Sequence, residues 1–195
     1  ESIATLAGLL ENDRVKAVGE TGLDFFRDIS PRATQIKSFE QHIELAIETG
    51  LPMFLHERDA HPTFAEVLSG YRDNLSDLVV HCFTGEKEAL YTYLDLDCHI
   101  GITGWICDER RGQHLLNLVK DIPVERLMIE TDAPYLMPRS IRPKPKTRRN
   151  EPQYLKVVCE TVAECRGATL DEVARQTSNN ARRFFNLPAS PDEQN

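Results

Sequence analysis

Residues 126–139, RLMIETDAPYLMPR, begin as a buried strand and then break off. Leu127, Met128 and Ile129 suit a sheet interior, but Glu130 and Asp132 follow at once and Pro134 stops the run. Alternate side chains of a strand share a face, so both carboxylates are expected to point the same way. Similar short apolar runs occur upstream: VKAVGETGLDF (15–25), PMFLHERD (52–59), LVVHCFTG (78–85) and HIGITGWI (99–106).

Helical patterns separate these runs. Ile36, Phe39, Ile43 and Ile47 fall at spacings of three and four, with Ser30 and Pro31 suited to the start of that helix and Gly50 to its end. Further helices are expected at about 62–69, 86–95, 110–120 and 152–165, and ESIATLAGLLEND (1–13) reads as another. Thr169 and Glu172 have capping-box spacing before a final helix, and SNNARRFF is a candidate start for one more. Continuous apolar strands alternating with helices imply a parallel sheet covered on both faces. Five or so strand–helix units fall short of an eight-stranded barrel, which typically takes about 250 residues. The expectation is either an open α/β sheet or a (β/α) barrel without its N-terminal units. With no linker, repeat or low-complexity segment, residues 1–195 are expected to form one domain.

Composition narrows the function classes. The chain is 41% hydrophobic and 28% charged, ordinary for a soluble domain. A formal net charge of -8 excludes a generally basic nucleic-acid coat, so an anionic substrate needs a local patch or a metal. The five cysteines are odd in number and contain no Cys-x-x-Cys pair, which fits reduced thiols in the cytoplasm. Neither a leader peptide nor an apolar run near ~18 residues is evident, so secretion and membrane spanning are not expected.

Four of the five strand candidates end in a residue of metal-ligand type: Glu20, His56, His81 and Asp132. In a parallel α/β fold all C-terminal strand ends lie on one side, so these side chains are expected to converge. Any one alone reads as a turn or scaffold residue. Together, two imidazoles and two carboxylates suit Zn, Mn or Fe, or Mg with more oxygen, and a carboxylate can bridge two cations. His42 and His114 fall in helical stretches and His99 opens a strand, so scaffold or solvated roles are expected for them; His61 lies nearer the rim. HERDAHP is not a zincin motif, because His56 and His61 are five apart. Cys82 follows His81 directly, and neighbours in a strand face opposite ways, which argues against a thiol nucleophile with His81 as its base.

The segment PRSIRPKPKTRRNEP (138–152) reverses the local charge. Arg139, Arg142, Lys144, Lys146, Arg148 and Arg149 precede any acid, and the segment should overhang the metal face. It reads as a phosphate-binding loop or, more plainly, as a solvated basic loop. Trp105, the only tryptophan, could stack a base or pack at the rim.

The motifs AVGETGLDF, MFLHERDAHPTF, VVHCFTG, IGITGWICDERRG, IETDAPYL and RRNEP together resemble the TatD family of metal-dependent deoxyribonucleases, within the amidohydrolase-like barrels, over nearly the whole chain. The resemblance implies a TIM-type barrel, one or two divalent ions (Mg first, Mn or Zn as alternatives) and phosphodiester hydrolysis, commonly as a 3′→5′ exonuclease on DNA. It implies that Glu20 is a bridging, catalytic carboxylate and that His56 and His81 ligate one metal. Asp132 is implied to ligate the other and to handle the attacking water, and Glu130, Arg149 and Asn150 to lie near the substrate. Family members usually begin with strands carrying a His-x-His pair and an HPH-like turn. Neither appears here, so about the first quarter of a typical member is expected to be absent, together with the N-terminal ligands of the Asp132 metal.

The resulting expectation is a cytoplasmic, monomeric, metal-dependent nuclease acting on single-stranded DNA ends, with RNA as a further substrate. A metal-dependent ester or amide hydrolase, such as an aminoacyl-tRNA deacylase, and a non-catalytic metal-binding fragment are the alternatives.

Overall fold

Val18–Asp24 (β1), Met53–Arg58 (β2), Leu78–Val80 (β3), His99–Ile102 (β4) and Leu127–Ile129 (β5) form the sheet of the computed structural model, which describes residues 2–188. They pair in parallel in sequence order, β1-β2-β3-β4-β5. Parallel neighbours need a crossover between them, and helices supply it. These are Arg32–Thr49 (α2), His61–Tyr71 (α3) and Lys87–Asp95 (α4), followed by the short Leu115–Leu118 (α5). Ile3–Leu10 (α1) precedes the sheet, and Leu155–Arg166 (α6) and Leu170–Phe184 (α7) follow it. Sequential parallel order with helical crossovers is the arrangement from which (β/α) barrels are built.

The two faces of the sheet bury different sets. Leu55, Leu78, Val80, Ile100, Ile102 and Leu127 join the main core with Phe39, Ile43, Phe64, Leu90, Tyr93 and Val162 from the helices. Each fully buried side chain of this size contributes about 1.5–3 kcal/mol. Phe39 of α2 and Phe64 of α3 stack at 5.1 Å, which locks adjacent crossovers together. On the other face, Phe54, Val79 and Met128 pack with Phe184 and Phe185 at the end of α7, and His99 meets Phe184 edge-on at 5.4 Å. Two residues further along each strand, the same alternation brings His56, His81, Gly101 and Glu130 to this second face. An apolar floor therefore lies below a polar layer.

Several expected boundaries shift. The strand beginning at Leu78 ends at Val80, although the His81 N–H still donates to the Leu55 carbonyl at 2.9 Å. The run at 99–106 divides into β4 and a 3-10 turn, Gly104–Cys107, that carries Trp105. Only Leu115–Leu118 of the expected 110–120 helix is α-helical, because Arg110 and Arg111 fold back onto Asp108 and hold a turn there. The Ile36, Phe39, Ile43 stripe does face the core, whereas Ile47 is 36% exposed. Ser30 does not cap α2: Pro31 is its N-cap, and the Ser30 carbonyl accepts from Gln35. Gly50 ends the helix in the left-handed region (φ 68°), where the absence of Cβ removes the steric penalty. The Thr169–Glu172 capping box is present. SNNARRFF starts no new helix; it continues α7, and the Asn180 amide donates to the Val124 and Leu127 carbonyls instead of capping. Of the expected N-terminal helix, Ile3–Leu10 is helical and Glu1 lies outside the described residues.

Candidate metal centre

Glu20 reaches the centre through a bulge. The β1–β2 register runs Gly19↔Phe54 and then Thr21↔Leu55, leaving Glu20 unpaired in the third position of β1 rather than at the strand end. An extra residue in a strand re-aims its side chain. Glu20 Oε1 lies 2.9 Å from both His56 Nδ1 and His81 Nε2, and the two ring nitrogens are 3.2 Å apart. These three side chains are the group of donors, all within 4.8 Å of one another, that could hold a metal ion among the described residues.

Each imidazole also has a carboxylate on its other nitrogen. Asp24 Oδ2 is 3.2 Å from His56 Nε2. Glu130 Oε2 is 3.7 Å from His81 Nδ1, while Glu130 Oε1 accepts the Cys82 N–H at 2.5 Å. Glu130 extends from the end of β5 across β4 to reach the end of β3. It crosses above Gly101, where any Cβ would collide with Glu130 Oε1 and crowd the His81 backbone. Carboxylates behind metal-binding histidines fix the ring orientation and raise ligand basicity.

The electrostatics fit a cation. Burial alone would depress His81, but the carboxylates of Glu130 and Glu20 outweigh it and raise its pKa to about 10. Hydrogen bonds from His56 and His81 hold the Glu20 carboxyl well below the usual range. Two imidazole nitrogens and a carboxylate oxygen at contact distance require positive charge between them. The raised pKa of His81 favours a proton there in the metal-free protein; a divalent ion can take its place, and the N/N/O donor set suits Zn, Mn or Fe, and Mg with added water.

Asp132 stands outside this trio but lines the same cavity of about 280 Å³ as Glu20, His56 and His81. Burial raises its pKa, the nearby Glu130 and Glu20 add to the shift, and the histidines oppose it. Strand alternation does not set the directions of Glu130 and Asp132. β5 ends at Ile129, the Glu130 N–H continues the ladder to the Ile102 carbonyl, and the Asp132 backbone takes φ 56°. The alternation that would align them has stopped.

Other expected site residues take different places. Trp105 is 9% exposed, with Arg58 and Arg111 over its ring at 5.0 and 4.0 Å, so it is a rim packing residue, not an open stacking surface. Asn150 is buried, and its amide donates to the Thr131 and Tyr135 carbonyls, closing the basic loop onto the strand end. Arg149 is exposed, as are Lys144, Lys146 and Arg148. Arg139 pairs with Glu109 at 2.7 Å, and Arg142 donates to carbonyls of its own loop. His61 bonds Tyr93 at 3.0 Å, and the tyrosine hydroxyl donates to Glu57. The thiol of Cys82 is pushed up to about 12 by burial, an independent ground against a nucleophilic role. Sequence reasoning missed Asp24 and Arg58. The available signal was their position: both are strand-end residues on the rim and pair across β1 and β2.

A family model described as TatD related DNase matches residues 1–186. Curated relatives include a 3′-5′ ssDNA/RNA exonuclease TatD of Erwinia billingiae, 50% identical over 97% of this chain and 72% of its own length. A protein of the same name in Pantoea ananatis is 48% identical over 94% of this chain and 70% of its own. Among solved structures, YJJV, a TatD homolog from Escherichia coli K12, has a TM-score of 0.84 and 30% identity, covering 96% of this chain and 71% of that one. A TatD family hydrolase from Entamoeba histolytica has a TM-score of 0.83 and 28% identity, covering 94% and 68%. The TIM-type α/β fold expected from the sequence is the fold observed. No helix among the described residues is long and apolar enough to cross a membrane.

Proposed function

Since the chain belongs to the family of TatD related DNases, we propose that it is a divalent-metal-dependent nuclease that hydrolyses phosphodiester bonds of single-stranded DNA, and of RNA, from the 3′ end. The relatives' shared name supports the substrate and polarity. The observation that carries the chemistry is the convergence of Glu20, His56 and His81 within 4.8 Å, beside the Asp132 carboxyl in one cavity. Magnesium is the proposed ion in use, with manganese or zinc able to substitute; one or two ions bind, and the protein works as a cytoplasmic monomer.

Glu20, His56 and His81 hold the cation, and Asp24 and Glu130 fix the two imidazoles from behind. When bound, a divalent cation supplies Lewis acidity toward a phosphoryl oxygen and makes water more acidic. Asp132 accepts the proton that water releases as it attacks phosphorus, while the phosphorus–oxygen bond to the leaving nucleotide breaks and the freed oxygen takes a proton from solvent. Burial raises the affinity of Asp132 for protons, the direction a general base needs. The exposed Lys144, Lys146, Arg148 and Arg149 hold phosphates of the flanking strand.

Asp132→Asn tests this reading. The variant should cut a single-stranded oligonucleotide about 10²–10⁴-fold more slowly, while binding the same oligonucleotide in EDTA as tightly as the wild type. Wild-type turnover in the variant would remove Asp132 from the mechanism. Wild-type cleavage that persists in chelator would remove the metal.

A further inference from the structure

Arg58 ends β2 two residues after His56, and a two-residue step keeps both on the same face of a strand. It lines the cavity that also holds Glu20, His56, His81 and Asp132. Its guanidinium lies 4.7 Å from the centre of the Phe26 ring and 5.0 Å from that of Trp105. A guanidinium held over aromatic rings engages them through its flat face, which leaves the N–H groups in its plane open.

Those donors are unspent. The Arg58 side chain is 29% exposed, yet among the described residues it donates no hydrogen bond, and its one ion pair is a loose 3.8 Å contact from Nε to Asp59. Comparably covered arginines behave differently. Arg72, at 21% exposure, donates to the carbonyls of Leu75, Ser76 and Leu96, and Arg126, at 24%, pairs closely with Asp97. Withdrawing a charged donor from water without a partner is costly, so an arginine left this way beside a metal centre is prepared for a ligand. The cavity also contains the carboxylates of Glu20 and Asp132, which repel any anion that approaches them. The other arginine lining it, Arg27, already has Asp24 at 3.6 Å.

We infer that Arg58 is a phosphate-binding residue of this site, its planar fork taking two oxygens of the phosphodiester being cleaved while Phe26 and Trp105 hold the guanidinium in position. The inference rests on the nuclease reading above and deepens it. A planar, bidentate donor matches the non-bridging oxygens of a phosphodiester, a match that an ammonium point charge cannot make. Because negative charge on those oxygens grows along the reaction, the contact should tighten toward the transition state and act mainly on kcat.

The test compares wild type, Arg58→Met, Arg58→Lys and Arg58→Ala, each with Mn²⁺, on a 3′-labelled single-stranded oligonucleotide. Arg58→Met should lose about 10²–10³-fold in kcat with a smaller change in KM, and Arg58→Lys should recover less than a tenth of the loss. Methylguanidinium added at non-denaturing concentration should partly restore Arg58→Ala and leave the wild type unchanged. Calorimetry should show Mn²⁺ binding by all variants within about threefold of wild type, and inorganic phosphate binding to metal-free protein weakened about fivefold in Arg58→Met, or near 1 kcal/mol. Near-wild-type kcat in Arg58→Met, or lost Mn²⁺ binding together with absent rescue, would overturn the assignment. If the wild type itself shows no chelator-sensitive cleavage, the nuclease reading falls instead, and phosphate binding alone then decides for or against Arg58.

Discussion

His81 and His99 occupy the same face of one sheet at its opposite ends, and they are almost equally covered, at 5% and 7% exposure. Burial depresses the pKa of both. At the upper end, Glu130 and Glu20 reverse that effect and bring His81 to about 10. At the lower end, burial is joined by the positive charge of Arg126, and His99 is lowered. Among the described residues its Nδ1 has no hydrogen-bond partner, and its ring packs against Phe184. Coverage alone therefore does not set what a buried histidine does. The acids that reach it decide whether it is a charged centre that a metal can occupy or a neutral part of the floor.

The comparison is most directly broken at Glu130. Glu130→Gln should make His81 resemble His99, lowering metal affinity about 10–100-fold. The His81 pKa should fall from about 10 toward its ordinary value. Metal titration and histidine NMR of the metal-free protein read the two effects, and unchanged values in both would detach Glu130 from the centre.

A second measurement sharpens the difference. Metal binding must expel the His81 proton, so the apparent affinity should rise about tenfold per pH unit between pH 6.5 and 7.5. Calorimetry in buffers of different ionisation enthalpy should detect the released proton. A flat affinity profile would mean that His81 is not displaced.

The smallest effect is expected on stability, where the two residues carry opposite signs. A raised pKa makes the His81 contribution of the metal-free protein fully present below the ordinary value of 6.5, and it is lost as pH rises through about 10. His99, lowered from 6.5, contributes above that value and loses its contribution as pH falls below it, because the unfolded chain then takes up the proton first. His99→Phe should flatten the loss of stability between pH 7.5 and 5, and removing the unpartnered nitrogen should gain about 1 kcal/mol. Urea unfolding at the two pH values measures both, and an unaltered slope would show that other groups govern the acid limb.

How much of this was legible in the sequence follows the same division. Apolar runs located all five strands, and the shared side of parallel strand ends brought His56 and His81 together as expected, because both stay in the hydrogen-bonded ladder. Local geometry was not legible where the ladder stops or slips, even though Glu20 was rightly expected beside His56 and His81. Glu20 sits on a bulge, Asp132 lies beyond the last paired residue with a positive φ, and Trp105 belongs to a 3-10 turn. A period of two carries no information across such points. The family resemblance implied that Glu130 lies near the substrate; its carboxylate is directed at His81 and at the Cys82 N–H beyond β3. The same resemblance implied that Asn150 lies near the substrate, and its buried amide closes the basic stretch onto the strand end. Asp24 and Arg58 lie within the motifs AVGETGLDF and MFLHERDAHPTF, but residue type alone did not single them out; their pairing at the ends of β1 and β2 does.

The empty place above Gly101 has a consequence for how such a centre can vary. The residue ligates nothing and contacts no substrate, but the path from Glu130 to His81 runs through the volume its side chain would occupy. β4 thus works as an aperture between its two neighbours, and one methyl group would narrow it. A lineage could retune the acidity of its metal site at this position while keeping every ligand. An inventory of ligands would then report two proteins as identical when their centres differ by what one glycine leaves open.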